Sequence, residues 1–320
     1  MDRIRTRWLG WAALASATIL AGCQAPAPVE PLEVVANRSE WRYGRTRGQR
    51  IRTEHWEVFT TIADDMTLAV LPEFLERAWA QYARLVPLTK PPARPLVCYV
   101  FQRRGEWELF VRRTAGGRAR KYLRIRNGGY SEADLAAVHY AGRAQTLAVL
   151  SHEGLHQYLA VNTADAVPAW LNEGLATWCE GFRWDGRSVT FAPRENVFRS
   201  GALQRAALAS QLYPLGELLA INAGHVVGTE APKVAAYYAQ VWALVYFLHD
   251  GMDGRYRSAF ESMLNDVSAG RLGTRARGYM AASAGRSISY GQAAFQCCIT
   301  EDLDAFEAEF LAFVQKLQGP

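Results

Sequence analysis

Apolar and polar residues alternate along residues 55–62 (HWEVFTTI), the period-2 pattern of a strand with one buried face. From Met66 to Leu85 the apolar positions change to helical spacing, and the compact run PLVCYVF (95–101) reads as a second, more fully buried strand. GEWELFVRRT (105–114) predicts a short helix. Two Gly-Gly pairs flank a basic stretch in residues 113–130, which predicts a flexible loop or hairpin. The polar, Arg-rich residues 36–53 read as a lead-in. LAAVHYAG (135–142) supplies one more short strand, and VLSHEGLHQYLAV (149–161) starts a helix straight after it. The order β-α-β-α predicts a small mixed sheet with helices on one face. Beyond Glu173 most signals are helical. In the last of them Leu303, Phe306, Phe310, Phe313, Val314 and Leu317 form one stripe with acids opposite, a packed helix and not a membrane segment. The expected class is α+β, with an N-terminal α/β lobe over 51–142 and a mainly helical lobe over 143–320.

Composition fits that reading. At 320 residues, half of them apolar and 12% aromatic, the chain can bury a sizeable core, and disorder is not expected. There is no internal repeat and no second apolar run of membrane length. The first residues carry a different signal: Arg3, Arg5 and Arg7, an apolar stretch from Trp8 to Leu20, then small residues before a cysteine, the order of an export signal. Leu20-Ala21-Gly22-Cys23 resembles the bacterial lipobox. The resemblance implies that residues 1–22 are removed and that Cys23 is lipid-modified. Gln24 after it points to the outer membrane, and Pro26, Pro28 and Pro31 form a stiff spacer within a linker over 23–50. Four cysteines remain, Cys98, Cys179, Cys297 and Cys298. An oxidising compartment permits disulfides among them and buried free thiols are an equal alternative, but the adjacent Cys297 and Cys298 are not expected to pair with each other.

The run 149–161 is apolar enough for a buried helix yet carries two histidines and a glutamate at its centre. At 100° per residue, His152 and His156 share one face, one turn apart, so that their imidazoles can converge on a point. That is the His-Glu-x-x-His arrangement, in which both histidines bind zinc and the glutamate, here Glu153, is general base toward the zinc-bound water. Zinc then lacks one protein ligand, and PAWLNEGLATWCEGF (168–182) offers it: Pro168 suits the start of a new helix, and Glu173 follows His156 by 17 positions, room for a loop and a turn.

With both motifs in view the chain resembles the gluzincin metallopeptidases. WLNEGLA (170–176) is similar to the third-ligand motif of their aminopeptidase branch, which implies that Glu173 ligates zinc, one ion per chain, in a zincin-like fold. The Gly-x-Met-Glu-Asn strand of that branch has no counterpart here, so aminopeptidase specificity is not expected. Over roughly residues 52–250 the chain more closely resembles bacterial exported peptidase-MA-like domains of unknown function, through PLVCYVF, Gly129-Tyr130, His152–His156, Trp170–Gly174 and Tyr238-Ala239-Gln240-Val241-Trp242. The resemblance implies that a tyrosine of a later helix supports the oxyanion, Tyr238 by position, with Tyr237 as its rival; with Trp242 and Tyr246 at i+4 and i+8, Tyr238 reads equally as a core aromatic.

Asn172 and Glu180 are candidates to hold the second ring nitrogens of the histidines. His139, His225 and His249 read as core or surface residues. His139 lies on the strand before the active helix, where zincins commonly pair an edge strand with extended substrate. The cluster Arg112, Arg113, Arg118, Arg120, Lys121, Arg124 and Arg126 reads as a solvated loop, or as a receptor for an acidic substrate or anionic envelope polymer. No nucleic-acid module is present. The expectation is a lipid-anchored, exported zinc metallopeptidase acting on peptide or protein at the periplasm or cell surface; the alternative is a catalytically silent binding or scaffold lipoprotein on the same fold.

Overall fold

A computed structural model describes residues 32–317 apart from 91, 126, 127, 164, 222–229, 284 and 286. The export signal, Cys23, the proline spacer, His225 and Arg126 lie outside the described residues. The protein is α+β: a mixed six-stranded sheet, a small two-stranded one, and a helical C-terminal region. Among the described residues no helix is long and apolar enough to cross a membrane.

The large sheet runs β1 (Asn37–Tyr43), β2 (Thr46–Arg52), β3 (Trp56–Thr60), β4 (Leu96–Phe101), β6 (Leu135–His139), β5 (Gly129–Glu132). The pairs β3·β4 and β4·β6 are parallel and the others antiparallel. Residues 36–53 are thus no lead-in. They form a hairpin closed by a two-residue turn in which Gly44, at φ 58°, takes the position where hairpins favour glycine. Its polarity hides it because β1 is an edge strand that faces solvent along most of its length, with Trp41 and Tyr43 packing onto neighbouring rings.

Helices cover both faces of the sheet, not one. Ala136 and Val138 face α1 (Asp65–Leu85) and α4 (Arg143–Asn162), whereas Phe101 and Ala137 face Trp107 and Phe110 of α2 (Arg104–Thr114). The stretch expected as a loop, 113–130, instead holds the end of α2, the one-turn α3 (Ala119–Tyr122) and the start of β5. The described members of the basic cluster run from the last turn of α2 through α3 to Arg124, and Arg118 is bonded to Glu132 at 2.8 Å.

Beyond α4 come α5 (Ala169–Trp178), the hairpin β7 (Phe182–Trp184) and β8 (Val189–Phe191), α6 (Val197–Leu208), α7 (Leu215–Ala220) and α8 (Ala231–Asp250). Among the described residues four further helices follow, the last Leu303–Leu317, whose Phe306, Phe310 and Val314 are buried as the stripe predicts. The hairpin β7–β8 is a strand pair within the region where most signals are helical. One apolar cluster runs from Ile51 through α1, α4, α5 and α8 to Val314.

Two glycines set how closely the motif helices approach their supports. A Cβ on Gly154 would meet the Trp56 ring at 2.7 Å and the Tyr82 hydroxyl at 2.8 Å, and one on Gly174 would meet Val245 at 2.7 Å and the Val241 carbonyl at 3.0 Å. Each helix therefore lies nearer its neighbour than any side chain at those positions permits. Tyr82 Oη donates to the Ser151 carbonyl (2.6 Å), and Ser151 Oγ donates to the Cys179 carbonyl (2.7 Å), tying α1, α4 and the end of α5 together around the histidines. The four cysteines are free, with Cys98 and Cys179 buried.

Candidate metal centre

α4 presents His152 and His156 on one face, and α5 brings Glu173 opposite them. The two imidazole Nε2 atoms are 3.1 Å apart, and each lies 3.4 Å from Glu173 Oε2. A tetrahedral site with bonds of about 2.0–2.2 Å sets its ligand atoms roughly 3.3 Å apart, so the observed triangle is already of the size an ion requires. The three residues form a group able to hold a metal ion.

The outer partners decide where the lone pairs point. His152 Nδ1 lies 2.8 Å from Glu180 Oε1 and His156 Nδ1 lies 3.0 Å from Asn172 Oδ1. Both partners are acceptors, so each ring places its N–H on Nδ1 and turns its Nε2 lone pair inward. Glu173 Oε2 is buried, with no well-aligned hydrogen bond despite its two imidazole neighbours. Two lone pairs and a carboxylate oxygen thus converge on one point, an arrangement that repels itself unless a cation or a proton sits at its centre. The protonation balance shows the same demand. Burial alone would lower His152, but the Glu173 carboxylate at its Nε2 and the Glu180 carboxylate at its Nδ1 raise it to about 10. Burial likewise opposes the charge of Glu173, yet the His156 charge and the two imidazoles beside it hold its carboxyl well below the usual range.

Glu180 is itself fixed from α6. Arg199 donates to Glu180 through Nε (2.7 Å) and through a second guanidinium nitrogen, and Asn196, the N-cap of α6, donates to Oε2 at 3.2 Å. Burial would raise the Glu180 carboxyl; the Arg199 charge, with the bonds from His152 and Arg199, lowers it to about 2. The same guanidinium lies 5.2 Å from the Tyr238 ring centroid, and that ring meets His152 edge-on at 6.0 Å.

Glu153, one residue after the first histidine, is buried at 8% exposure and accepts from Ser131 Oγ at 2.8 Å. Tyr238 and Tyr237 both feel Glu173. Burial first, then that charge, pushes each phenol above its ordinary value, so both stay protonated donors. Tyr237 is fully buried and its hydroxyl has no partner among the described residues, whereas Tyr238 is half-buried beside the histidines.

The structure therefore brings His152, Glu153, His156, Glu173 and Tyr238 to one place and puts Asn172 and Glu180 behind the rings. His249 meets Trp178 outside the triad. His139 is a correction: its strand β6 lies between β4 and β5, and the open edge belongs to β5 with Gly129 and Tyr130. Sequence reasoning missed Ser131 and Arg199. Ser131 lies just after the Gly-Tyr element, but only strand pairing turns it toward Glu153; Arg199 gives no signal at all. A 670 Å³ cavity lined in part by Arg84, Trp178, His249 and Phe260 contains none of the three ligands. A 340 Å³ cavity adjoins the centre through Glu180.

Searches among known protein families, curated proteins and solved structures find nothing that matches this chain.

Proposed function

We propose that the protein is a gluzincin-like zinc metallopeptidase with a zincin-like fold, exported and held to a membrane by a lipidated Cys23, acting on peptide or protein at the periplasm or cell surface. The single observation that carries the reading is the convergence of two imidazole lone pairs and an unpartnered carboxylate oxygen at 3.1–3.4 Å, with a buried carboxylate at the next position of the same helix. Resemblance to the gluzincins through His-Glu-x-x-His and WLNEG supports it. The Nδ1 partners Glu180 and Asn172 would keep both rings aimed at the ion.

Zinc in that triad would supply Lewis acidity, polarising a carbonyl and bringing the pKa of water to about 7. Glu153 takes the proton of the attacking water and delivers it to the leaving nitrogen, with Ser131 fixing one carboxylate oxygen so that the other is free to act. Tyr238 donates a hydrogen bond to the carbonyl oxygen as negative charge grows there, a contribution of about 3 kcal/mol for one well-placed donor. The open edge of β5, next to Glu153, pairs with an extended peptide backbone.

The test is a mixed peptide library incubated with the detergent-purified full chain, with and without a chelator. Chelator-sensitive cleavage, abolished in Glu153→Gln while metal content is kept, is the expected result. Metal retained in the wild-type protein without any cleavage would favour the silent scaffold, and Glu153→Gln turning over like wild type would remove Glu153 from the role of base.

A further inference from the structure

The helical layer across the sheet from the metal centre takes no part in the mechanism above, and the positive charge of the chain collects there. Residues 37–142 hold 19 Lys and Arg against 11 Asp and Glu, whereas residues 143–320 hold 14 against 17. α2 turns Trp107, Phe110 and Val111 onto the sheet, and Tyr122, Leu123 and Ile125 pack on the same cluster. Arg104 donates to the Leu123 carbonyl at 3.3 Å, so the two segments lie side by side. Their outer sides make one solvent face that carries Leu109, Arg112, Arg113, Arg120, Lys121 and Arg124, all exposed.

Two features define what that face meets. The acids around it are already engaged within the protein: Glu108 pairs with Arg104 at 2.9 Å, Glu132 with Arg118 at 2.8 Å and with the Tyr122 hydroxyl, and Glu106 accepts from Thr61 at 2.9 Å. Arg112, Arg120, Lys121 and Arg124 are left with no acidic partner among the described residues. Arg112 and Arg113 complement the C-terminal end of α2, but α3 is a single turn with little dipole, and its cations repel one another. The fold gains nothing from that repulsion, which a surface of fixed negative charge removes. The second feature is Leu109, 42% exposed among these cations, an apolar side chain suited to the boundary between headgroups and acyl chains.

We infer that the outer face of α2 and α3 is a docking surface for the anionic phospholipid headgroups of the membrane that carries the protein. The inference rests on the lipid-anchored reading, which brings the chain to a bilayer. Cys23 and Leu32 are nine residues apart, at most about 30 Å of chain. Leu32, bonded to Glu73 of α1 at 3.4 Å, starts on the other side of the sheet, and that reach exceeds the roughly 20 Å of one sheet and one helix layer. The tether thus sets distance and leaves orientation free. Headgroup charge acts only within about 8–10 Å, so the basic face is the one that turns to the lipid, and the metal centre across the sheet stays clear of it.

Hydrogen exchange mass spectrometry tests the surface on the full chain in vesicles of phosphatidylcholine, alone or mixed with about one third phosphatidylglycerol. In about 0.05 M salt the anionic vesicles should slow exchange of the amides in 104–124 by about threefold or more, with α4 and α5 unchanged, and about 0.5 M salt should remove the effect. The combined variant Arg112→Glu, Arg120→Glu, Lys121→Glu should lose the protection at unchanged melting temperature, whereas Arg112→Lys with Arg120→Lys should keep it. Equal exchange on both vesicles, protection that falls on another segment or survives charge reversal, or soluble polyphosphate protecting the same amides at a lower phosphate concentration than the vesicles would overturn the inference. The two readings fail separately. An acylated chain whose α2 and α3 amides ignore headgroup charge keeps the anchor and removes the surface. A chain whose intact mass shows no acyl group, yet which sediments with phosphatidylglycerol vesicles about tenfold or more tightly than with phosphatidylcholine and loses that preference on charge reversal, keeps the surface and removes the anchor.

Discussion

Two histidine–carboxylate contacts, one joining His55 to Glu76 on α1 and one joining the α4 histidines to Glu173 on α5, look alike as pairings, yet they are chemically different. At the first, Glu76 accepts from Thr53 Oγ1 (2.6 Å), from the His55 backbone N–H (3.0 Å) and from His55 Nδ1 (2.6 Å), while the His55 ring stacks on Trp79 at 4.3 Å. Each carboxylate oxygen has a donor, and the contact is complete as a clasp between the β2–β3 turn and α1. At the second, Glu173 Oε2 faces two ring nitrogens whose protons are committed on their far sides to Glu180 and Asn172. The lesson is that proximity of His to Glu says little; which atoms are left unsatisfied separates a structural pair from a site for a cation.

The comparison can be broken from either side. Glu173→Ala should abolish zinc retention, measured by elemental analysis of the dialysed protein, whereas Glu76→Ala should leave zinc content untouched and lower the unfolding free energy by about 3 kcal/mol, because it strips a buried donor set of its acceptor. Zinc retained by Glu173→Ala would place the ion elsewhere. Gly154→Ala should cost about 1–3 kcal/mol in chemical denaturation, since the added methyl must displace the Trp56 or Tyr82 side chain that positions α4. Arg199→Met should weaken zinc binding about 10- to 100-fold in chelator competition without matching loss of fold, by freeing Glu180 and through it His152; unchanged affinity would reduce Arg199 to a packing residue.

The smallest effect is a pH dependence at the structural pair. Burial would raise the Glu76 carboxyl, but bonds from the His55 ring, the Thr53 hydroxyl and the His55 amide hold it below its ordinary 4.5. A carboxyl lowered in the folded state stabilises fully above its unfolded value, and that stability is lost as pH falls below about 4.5 toward the folded value. Glu76→Gln should therefore flatten the acid limb of the stability curve between about pH 5 and 3; a limb of unchanged slope would show that the clasp does not couple to protons.

Much of the centre is legible in the sequence because helical geometry converts spacing into direction. His152 and His156 at i, i+4 and Glu173 on a helix behind them need little else, and Asn172 and Glu180 follow as neighbours in the chain. What escapes sequence is set by contacts between distant segments. Ser131 reaches Glu153 only because β5 folds back on β6, and Arg199 reaches Glu180 only because α6 caps the region with Asn196. The β1–β2 hairpin was illegible for another reason: an edge ribbon bordered by solvent lacks both the apolar alternation that marks β3 and the continuous apolar run that marks β4. His139 looked like an edge residue because β5, short and rich in polar groups, reads as loop.

The central claim is that one zinc ion is held by His152, His156 and Glu173. X-ray absorption at the zinc edge on the full-length protein tests it most directly. The account predicts one zinc per chain with a shell of nitrogen and oxygen only, at about 2.0–2.2 Å, including two imidazoles. A sulfur shell at about 2.3 Å, or a protein that takes up no zinc, would contradict it.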